Sequence, residues 1–488
     1  MDLVAMLSEI LHDYSDVRIS HLTGIERTRL NRIKNGKLKI EFHELQKIIK
    51  VFTIDDDTAK KLYDAFIYQK LGRDRYNANR LAKDFLTSMK FEKGDEETLN
   101  GDTVKTDINV SFDFPGEIKT LSGRFSVKYI TAMVMSRAAT NNEKIRIVSS
   151  PFNLQILAMV LTLTASCKDL DVKQLFSISV ANELADPQTY YMQVAKAVYP
   201  IFMLNSNYSA YYSMTGHVTN AIMPFNIITE QYCLMISADN SSAILLKDKS
   251  VIELYSKIFD QRIAKCSPFI KKIRTGGDYL VHYANIMEAT SSAPLSKTLY
   301  SIDFEPCMLH LVNEGDVQNM IESAKGDPTT LETLERIQTE LLARFNSIPQ
   351  VGFFTKKGVE SFIKTGRIAE IPDSLGLQFS YERRREMLSS ILETARINDP
   401  KDKMYFLLNE KEFDPPLGLR FLGSGLSTDH LFIMSNSHDG MRSILMFSNP
   451  EVTSAVFQFV ESLSESNMVY THEEMIAYLE KTIGAMSE

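Results

Sequence analysis

The sequence of 488 residues contains no long hydrophobic run. Its longest strongly apolar stretch, LQILAMVLTLTA, extends over twelve residues from Leu154 to Ala165. A helix needs about 20 apolar residues to cross a bilayer, so this stretch predicts a buried helix. The first eighteen residues also lack the basic start and apolar core of a secretory signal. We therefore expect a soluble cytoplasmic protein without a membrane partner.

Cysteine is scarce, and its positions carry no pattern. The four residues, Cys167, Cys233, Cys266 and Cys307, are far apart and form no C-x-x-C pair. No histidine stands near them at the spacing of a metal ligand. Isolated cysteines fit a reducing compartment and argue against both a disulfide framework and a zinc site. We expect neither a metal nor another cofactor.

The motifs of several enzyme classes are missing as well. The chain has no G-x-x-x-x-G-K-S/T loop, no G-x-S-x-G, no H-E-x-x-H and no dinucleotide-binding glycine pattern. None of its nine histidines begins H-x-K, the nucleophile motif of phospholipase-D-type phosphodiesterases. His430 and His438, beside Asp429 and Asp439, flank a predicted hairpin, and exposed turn histidines explain them better than a metal or acid–base site. The sequence therefore favours a protein that is not an enzyme.

Positive charge is scarce overall but concentrated near the N-terminus. The formal net charge is −8, whereas residues 1–54 hold nine Lys/Arg and seven Asp/Glu. Within them the stretch LTGIERTRLNRIKNGKLKI, from Leu22 to Ile40, has six basic residues against Glu26 alone. A small basic-faced head on a large acidic body indicates that only the head meets a polyanion.

Residues 3–52 predict four short helices. The first, Leu3 to Leu11, carries apolar residues at helical spacing. Ser15 is placed to cap the second, and Gly24 follows it where a tight turn needs a positive φ. The third helix then ends at Asn35-Gly36, a strong turn pair. The fourth begins near Glu41, and its core stripe is Phe42, Leu45, Ile48, Ile49 and Phe52.

The third helix has two distinct faces. Leu30 and Ile33 lie three residues apart on its predicted buried side. Arginine can bond guanine through two hydrogen bonds, and asparagine can do the same to adenine, so the opposite face suits a DNA major groove. The residues predicted to read bases are Arg27, Thr28, Asn31 and Arg32. Those predicted to contact phosphates, which set position without reading sequence, are Arg18, Arg29, Lys34, Asn35, Lys37 and Lys39.

The stretches Ile19-Ser20-His21-Leu22-Thr23-Gly24-Ile25 and Leu30-Asn31-Arg32-Ile33-Lys34-Asn35-Gly36-Lys37 resemble the Cro/C1-type (XRE-like) helix-turn-helix family of phage and bacterial repressors. Ser20 takes the small position that is commonly alanine in that family, and Lys34 replaces the usual glutamate. Asp16 stands where the family often has glutamine, and Glu26 stands at the usual Ser/Thr cap position. The resemblance covers about residues 3–54.

The resemblance implies a mainly α helix-turn-helix head that binds a double-stranded DNA operator. Proteins of this type usually dimerise so that two such helices meet successive major grooves, about 34 Å apart. We therefore expect a homodimer and an operator with approximate two-fold symmetry.

Beyond the head we predict a helical connector over residues 55–90 and a linker over 91–117, where periodicity is lost and Gly, Asp, Glu and Thr accumulate. Strands alternating with helices then predict a large two-lobed α/β or α+β body, with lobes at 118–290 and 291–488. No repeat of fixed period occurs, which argues against a helical-repeat peptide receptor. The body resembles the poorly defined sensor regions of long regulators from Gram-positive bacteria.

Three functional hypotheses follow. The first is a sequence-specific transcriptional regulator, whose body dimerises and senses a small-molecule or peptide effector or a partner protein. The second is an enzyme of unknown class with a DNA-targeting or autoregulatory head. The third is an interaction scaffold in which the basic face of the head binds an acidic protein.

Overall fold

A computed structural model of the protein places most of the chain. The residues it describes are 2–89, 116–150, 153–167, 169–177, 187–204, 207–213, 222–273, 276–291, 298–323, 328–341, 347–368, 371, 378–416, 419–425, 430–436, 442–447 and 449–486. The linker predicted for 91–117 lies outside these residues except for its last two. Among the helices of the described residues, none combines the length and the apolar character that a membrane crossing needs.

The protein divides into two compact units, and each is assembled from separate parts of the chain. The first unit comprises Met1–Thr87, Leu280–Thr428 and Ala455–Glu488. The second comprises Ser88–Tyr279 and Asp429–Ser454. The division is therefore not the serial one predicted at residue 290, because a short segment late in the chain folds with the earlier half. That segment has no local sequence signal to show which half it joins.

The N-terminal part of the first unit is helical. Its helices are α1 (Leu3–Ile10), α2 (Asp16–Thr23), α3 (Arg27–Lys34), α4 (Phe42–Val51), α5 (Asp56–Leu71) and α6 (Arg73–Ser88). The Ser15 side chain accepts a hydrogen bond from the backbone N–H of Arg18, which confirms it as the cap of α2. Gly24 ends α2 in the left-handed conformation, with φ of 70°. The four predicted helices are confirmed, and α5 and α6 occupy the predicted connector.

Helices α1 to α4 form the head, and they pack together with α5 around one apolar core. Its centre includes Leu7, Ile19, Leu30, Leu45 and Leu62, all buried. Every residue of this core lies between residues 3 and 67. The apolar spacing in the sequence is therefore sufficient to account for the packing of the head.

The rest of the first unit is α/β. Its strands are β10 (Leu299–Asp303), β11 (Gln350–Phe354), β12 (Lys403–Leu407) and β13 (Leu419–Gly423), in the order β12-β11-β10-β13. The first three are parallel to one another, and β13 is antiparallel to β10. The helices are α12 (Glu314–Ser323), α13 (Pro328–Arg336), α14 (Lys356–Thr365), α15 (Tyr381–Ile397), α16 (Pro450–Leu463) and α17 (His472–Ala485), with a 3-10 turn at Leu309–Leu311 and a π-helical turn at Ile337–Leu341.

A buried ion pair lies in this sheet. Arg420 on β13 is 1% exposed and Asp303 on β10 is 2% exposed, and the two residues are register partners. The Arg420 Nε lies 3.2 Å from an Asp303 carboxylate oxygen. The guanidinium also donates to the Tyr283 hydroxyl at 2.9 Å and lies over the Tyr283 ring. An arginine in this environment needs such partners, because an unpaired buried charge is strongly destabilising.

The connector contacts the C-terminal part of the same unit. Asn79 on α6 is buried and donates to the Ser462 hydroxyl on α16 at 3.1 Å. Lys70 on α5 forms an ion pair with Glu465, and Lys60 Nζ lies 3.5 Å from a carboxylate oxygen of Glu412. Helix α6 also buries Ala78, Ala82, Phe85 and Leu86, so the connector has an apolar face beside these polar contacts.

The second unit contains a sheet of eight strands. They are β1 (Ile118–Ser122), β2 (Ile145–Ser149), β3 (Val172–Ser177), β4 (Tyr208–Ser213), β5 (Phe225–Ile228), β6 (Cys233–Ile236), β7 (Ser242–Leu246) and β8 (Ser267–Pro268). Their order is β1-β7-β6-β5-β2-β3-β4-β8, with β2, β3 and β4 parallel and the other neighbours antiparallel. Strands β6 and β7 form an antiparallel hairpin around the turn residues Asp239-Asn240-Ser241-Ser242, with Asn240 at φ 56°.

Helices and three further strands complete the second unit. The helices are α7 (Arg124–Thr140), α8 (Leu154–Ser166), α9 (Pro187–Leu204), α10 (Lys249–Ile263) and the start of α11 (Gly276–Ser291). The strands are β9 (Ile270–Ile273), β14 (His430–Asn436) and β15 (Arg442–Phe447), and β15 pairs antiparallel with both of the others. The predicted α/β character of the body is confirmed.

Candidate nucleic-acid interface

Helix α3 has one buried face and one exposed face. Leu30 is 0% exposed and Ile33 is 2% exposed, because both enter the core of the head. The four residues predicted to read bases are all exposed: Arg27, Thr28, Asn31 and Arg32. The predicted orientation of α3 is therefore confirmed, whereas the DNA contacts of these side chains stay a prediction.

Arg29 lies on the flank of α3 and is bound within the head. Its guanidinium contacts both carboxylate oxygens of Glu44, with Nη2 at 3.0 Å from Oε2. Nη2 also donates to Glu41 at 2.9 Å. The Glu44 side chain accepts from the backbone N–H of Glu41 as well, at 2.9 Å, which forms a capping box at the start of α4. Arg29 thus joins α3 to α4, and this differs from the phosphate contact predicted for it.

The pKa of Glu44 reflects this arrangement. Burial of the carboxyl would raise its pKa, but the Arg29 guanidinium and the backbone N–H of Glu41 outweigh burial, and the pKa lies below its usual range. A carboxyl whose pKa is lower in the folded than in the unfolded state stabilises the fold above the unfolded pKa. That stabilisation is lost as the pH falls through the lower folded value.

We expect Glu44→Gln to destabilise α3 and α4 by about 2 kcal/mol at pH 7, because a partly buried guanidinium loses its charged acceptor. The difference between wild type and variant should shrink below about pH 4.5, where the carboxyl takes up a proton in the unfolded chain while it stays ionised in the folded one. Hydrogen exchange of α3 and α4 peptides in the full chain, compared at equal pH, measures both effects.

Glu41→Gln is the matched control, because Glu41 is 60% exposed and makes a single contact with Arg29. It should cost about 0.5 kcal/mol. Equal losses in the two variants would contradict a special role for Glu44.

Asp16, the first residue of α2, contacts α3 through two side chains. Its Oδ1 accepts from Lys34 Nζ at 2.8 Å, and its Oδ2 accepts from Asn31 Nδ2 at 3.3 Å. The Lys34 ammonium is the main reason why the pKa of Asp16 is lowered. Both side chains are largely buried, since 22% of Asp16 and 23% of Lys34 is accessible. Lys34 is therefore paired with a carboxylate of α2, and its predicted phosphate contact stays a prediction.

The remaining predicted contacts are open to solvent. Arg18, Asn35, Lys37 and Lys39 are exposed, and the Arg18 guanidinium lies 5.3 Å from the centre of the Tyr14 ring. Within the part of the chain that the structure describes, no carboxylate forms an ion pair with Arg18, Lys37 or Lys39. The same holds for Arg27 and Arg32. These five cations lie on α3 or beside it, and the exposed Lys47 and Lys50 of α4 add to the positive surface of the head.

The acidic residue at the start of α3 also has a local partner. Glu26 provides no side-chain cap to α3, and its Oε1 instead accepts from the Thr28 hydroxyl at 2.8 Å. Both acidic departures from the family pattern, Asp16 and Glu26, thus contact residues of α3. A sequence pattern that records residue types alone does not show these pairings.

Of the histidine pair weighed as a metal or acid–base site, His438 and the side chain of His430 lie outside the described residues. Among the residues that the structure does describe, no group of three or more His, Cys, Asp or Glu side chains is placed to hold a metal ion.

No family model matches the sequence, and no curated protein matches it either. Three solved structures share distant similarity. An archaeal chromatin protein with a novel mode of DNA binding is 11% identical over 54% of this chain and 93% of its own, with a TM-score of 0.22. Polyphosphate kinase from Porphyromonas gingivalis is 10% identical over 76% of this chain and 56% of its own, with a TM-score of 0.22.

The third is phosphatidylserine synthase from Haemophilus influenzae Rd KW20. It is 11% identical over 76% of this chain and 93% of its own, with a TM-score of 0.23. Scores this low carry no argument about fold or function, so the interpretation of the head depends on its own residues.

Proposed function

We propose that residues 3–54 form a Cro/C1-like helix-turn-helix domain and that the protein is a sequence-specific, DNA-binding transcriptional regulator. The observation that carries the proposal is the outer face of α3. There Arg27 and Arg32 are exposed, form no ion pair with any residue that the structure describes, and flank Asn31. An exposed helix face with two arginines and an amide matches the hydrogen-bonding groups of a major groove.

The spacing of these residues supports groove entry. Arg27 and Asn31 are four residues apart, as are Thr28 and Arg32, so each pair forms a row along the helix. The two rows are adjacent, and together they cover the side of α3 that faces away from Leu30 and Ile33. A helix enters the major groove with such a face toward the base edges.

Phosphate contacts fall to the accessible cations outside these rows. Arg18, Lys37 and Lys39 are free to meet the DNA backbone, whereas Arg29 and Lys34 are held by carboxylates of the head. Each neutralised phosphate contributes a slope of about −0.9 to log K against log salt. Three contacts give a slope of about −3 per head, and the two arginines of the groove would steepen it when they lie near phosphates.

The test uses an operator obtained by selecting a random double-stranded library with the full-length protein. Fluorescence anisotropy then measures affinity across a series of salt concentrations. Affinity that falls with salt at the expected slope supports the proposal. Failure to enrich any sequence, or affinity independent of salt, would overturn it and favour binding of the basic face to an acidic protein.

Lys37→Ala should reduce the salt slope by about 1 and weaken binding equally on operator and on unrelated DNA. Lys34→Ala is the matched control, since its ammonium is already neutralised by Asp16. It should change the slope by clearly less than Lys37→Ala. A loss confined to the operator would instead make Lys37 a base-reading residue.

The rest of the proposal concerns assembly and control. A homodimer that holds two α3 helices about 34 Å apart would require an operator with approximate two-fold symmetry. The α/β body would supply dimerisation and the site for a small-molecule or peptide effector, and no catalytic step is assigned to it. An effector would regulate binding only by preferring one arrangement of the heads, because equal affinity for both shifts no population.

A further inference from the structure

The side-chain amide of Asn31 is hydrogen-bonded on both of its atoms. Nδ2 donates to Asp16 Oδ2 at 3.3 Å, and Oδ1 accepts from Asn35 Nδ2 at 3.2 Å. Both partners are themselves anchored. Asn35 Nδ2 also donates to the Asn31 backbone carbonyl at 2.8 Å, and Asp16 is held by the Lys34 ammonium. The exposed Asn31 therefore has a fixed amide rather than a freely rotating one.

The two partners determine which way round the amide lies. If the Asn31 oxygen and nitrogen exchanged places, the oxygen would face the Asp16 carboxylate and the NH2 would face the NH2 of Asn35. Acceptor would then oppose acceptor, and donor would oppose donor. Asp16 is ionised at neutral pH, since its pKa is lowered. The reversed orientation is therefore disfavoured at both ends of the amide.

Counting the remaining hydrogen-bonding groups shows what Asn31 can bind. A carboxamide has two N–H donors and two oxygen lone pairs. Asp16 takes one donor and Asn35 takes one lone pair, which leaves one of each. Adenine presents an acceptor, N7, beside a donor, N6, in the major groove, and this is the complementary pair. Guanine presents two acceptors there, so the free lone pair of Asn31 would face another acceptor.

From this geometry we infer that Asn31 reads an adenine, and that Asp16 and Asn35 are positioning residues that hold its amide in the reading orientation. The inference rests on the proposed DNA-binding function and adds to it the nucleobase that Asn31 recognises. It also explains how an acidic residue is accommodated beside DNA at the start of α2. Asp16 orients Asn31 with one oxygen, while its charge is balanced by Lys34 through the other.

The experiment measures base preference rather than affinity alone. The full-length protein and its variants are bound to the selected operator and to every single-base-pair substitution of it. Removing the Asp16 charge also changes affinity for all DNA, but a uniform change cancels in the ratio between two sequences. The ratio therefore isolates the orientation of the amide from the electrostatic effect of the carboxylate.

For wild type, replacing one A·T pair in each half-site should weaken binding by about 10- to 100-fold. Asn31→Ala should reduce that penalty to about 2-fold and leave the penalties at other positions unchanged. Asp16→Ala and Asn35→Ala should each lower the penalty at the same position by about 3- to 10-fold. Lys37→Met, which leaves the Asp16–Asn31 and Asn35–Asn31 bonds in place and weakens binding to all sequences equally, should retain the full penalty at this position.

Different outcomes overturn different statements. If wild type binds no DNA, the proposed function fails. A second outcome is that wild type binds DNA while Asn31→Ala alters the substitution penalty at no single position, or alters it at a G·C pair. In that case the recognition of adenine is wrong, and the proposed function stands. If Asp16→Ala and Asn35→Ala change the affinity for every sequence by the same factor, the positioning role of these two residues is wrong.

Discussion

A variant that carries both Arg27→Ala and Arg32→Ala is expected to bind the selected operator about 1,000-fold more weakly than wild type. Each base-reading arginine contributes about 1–3 kcal/mol of discrimination, and two on one face act together. Both side chains are exposed and outside the core of the head, so the melting temperature should stay within about 1 °C. Anisotropy and thermal unfolding of the full chain measure the two quantities.

The matched control is Arg73→Ala with Arg75→Ala. It removes the same charge from the exposed surface of α6 and should weaken binding only several-fold, through the general electrostatic attraction. A similar loss in the two double variants would mean that net charge, and not the face of α3, determines binding. A large drop in melting temperature for the variant with Arg27→Ala and Arg32→Ala would mean that these arginines stabilise the fold instead.

The second large effect concerns stability. Asp303→Ala should destabilise the first unit by about 3–5 kcal/mol, because it leaves the Arg420 guanidinium buried without its carboxylate. Denaturant unfolding of the full chain, followed by hydrogen exchange of β10 and β13 peptides, assigns the loss to this sheet.

The double variant Asp303→Leu with Arg420→Met separates charge from packing. Replacing both members of a buried ion pair with apolar residues is often close to neutral, so most of the lost stability should return. If the double variant is as unstable as Asp303→Ala alone, volume rather than unpaired charge accounts for the effect.

The head could be predicted from the sequence because its signals are local. Ser15, Gly24 and Asn35-Gly36 mark helix ends through the conformations that each residue type favours. Apolar spacing then indicated which side of α3 is buried. The pairing of Arg29 with Glu44, 15 residues later, has no such signal. A lone arginine beside a basic stretch looks the same whether it faces a phosphate or a carboxylate.

The body shows the same limit. Strands β12 and β13 follow one another along the chain, yet they are not neighbours in the sheet, since β11 and β10 lie between them. Strand order depends on contacts between distant parts of the chain, and a short strand carries little information about its partner. The sequence does not indicate the burial of Arg420, because its partner Asp303 lies in a distant part of the chain. An arginine in a strand is normally expected to face solvent.

The polar contacts of the connector set an order of events during synthesis. Asn79 meets Ser462, which leaves the ribosome 383 residues later. At about 5–20 residues per second, that interval is on the order of 20–80 s. The core of the head needs only residues that emerge early, so a nascent chain would carry a finished head on a connector that still lacks its docking partners.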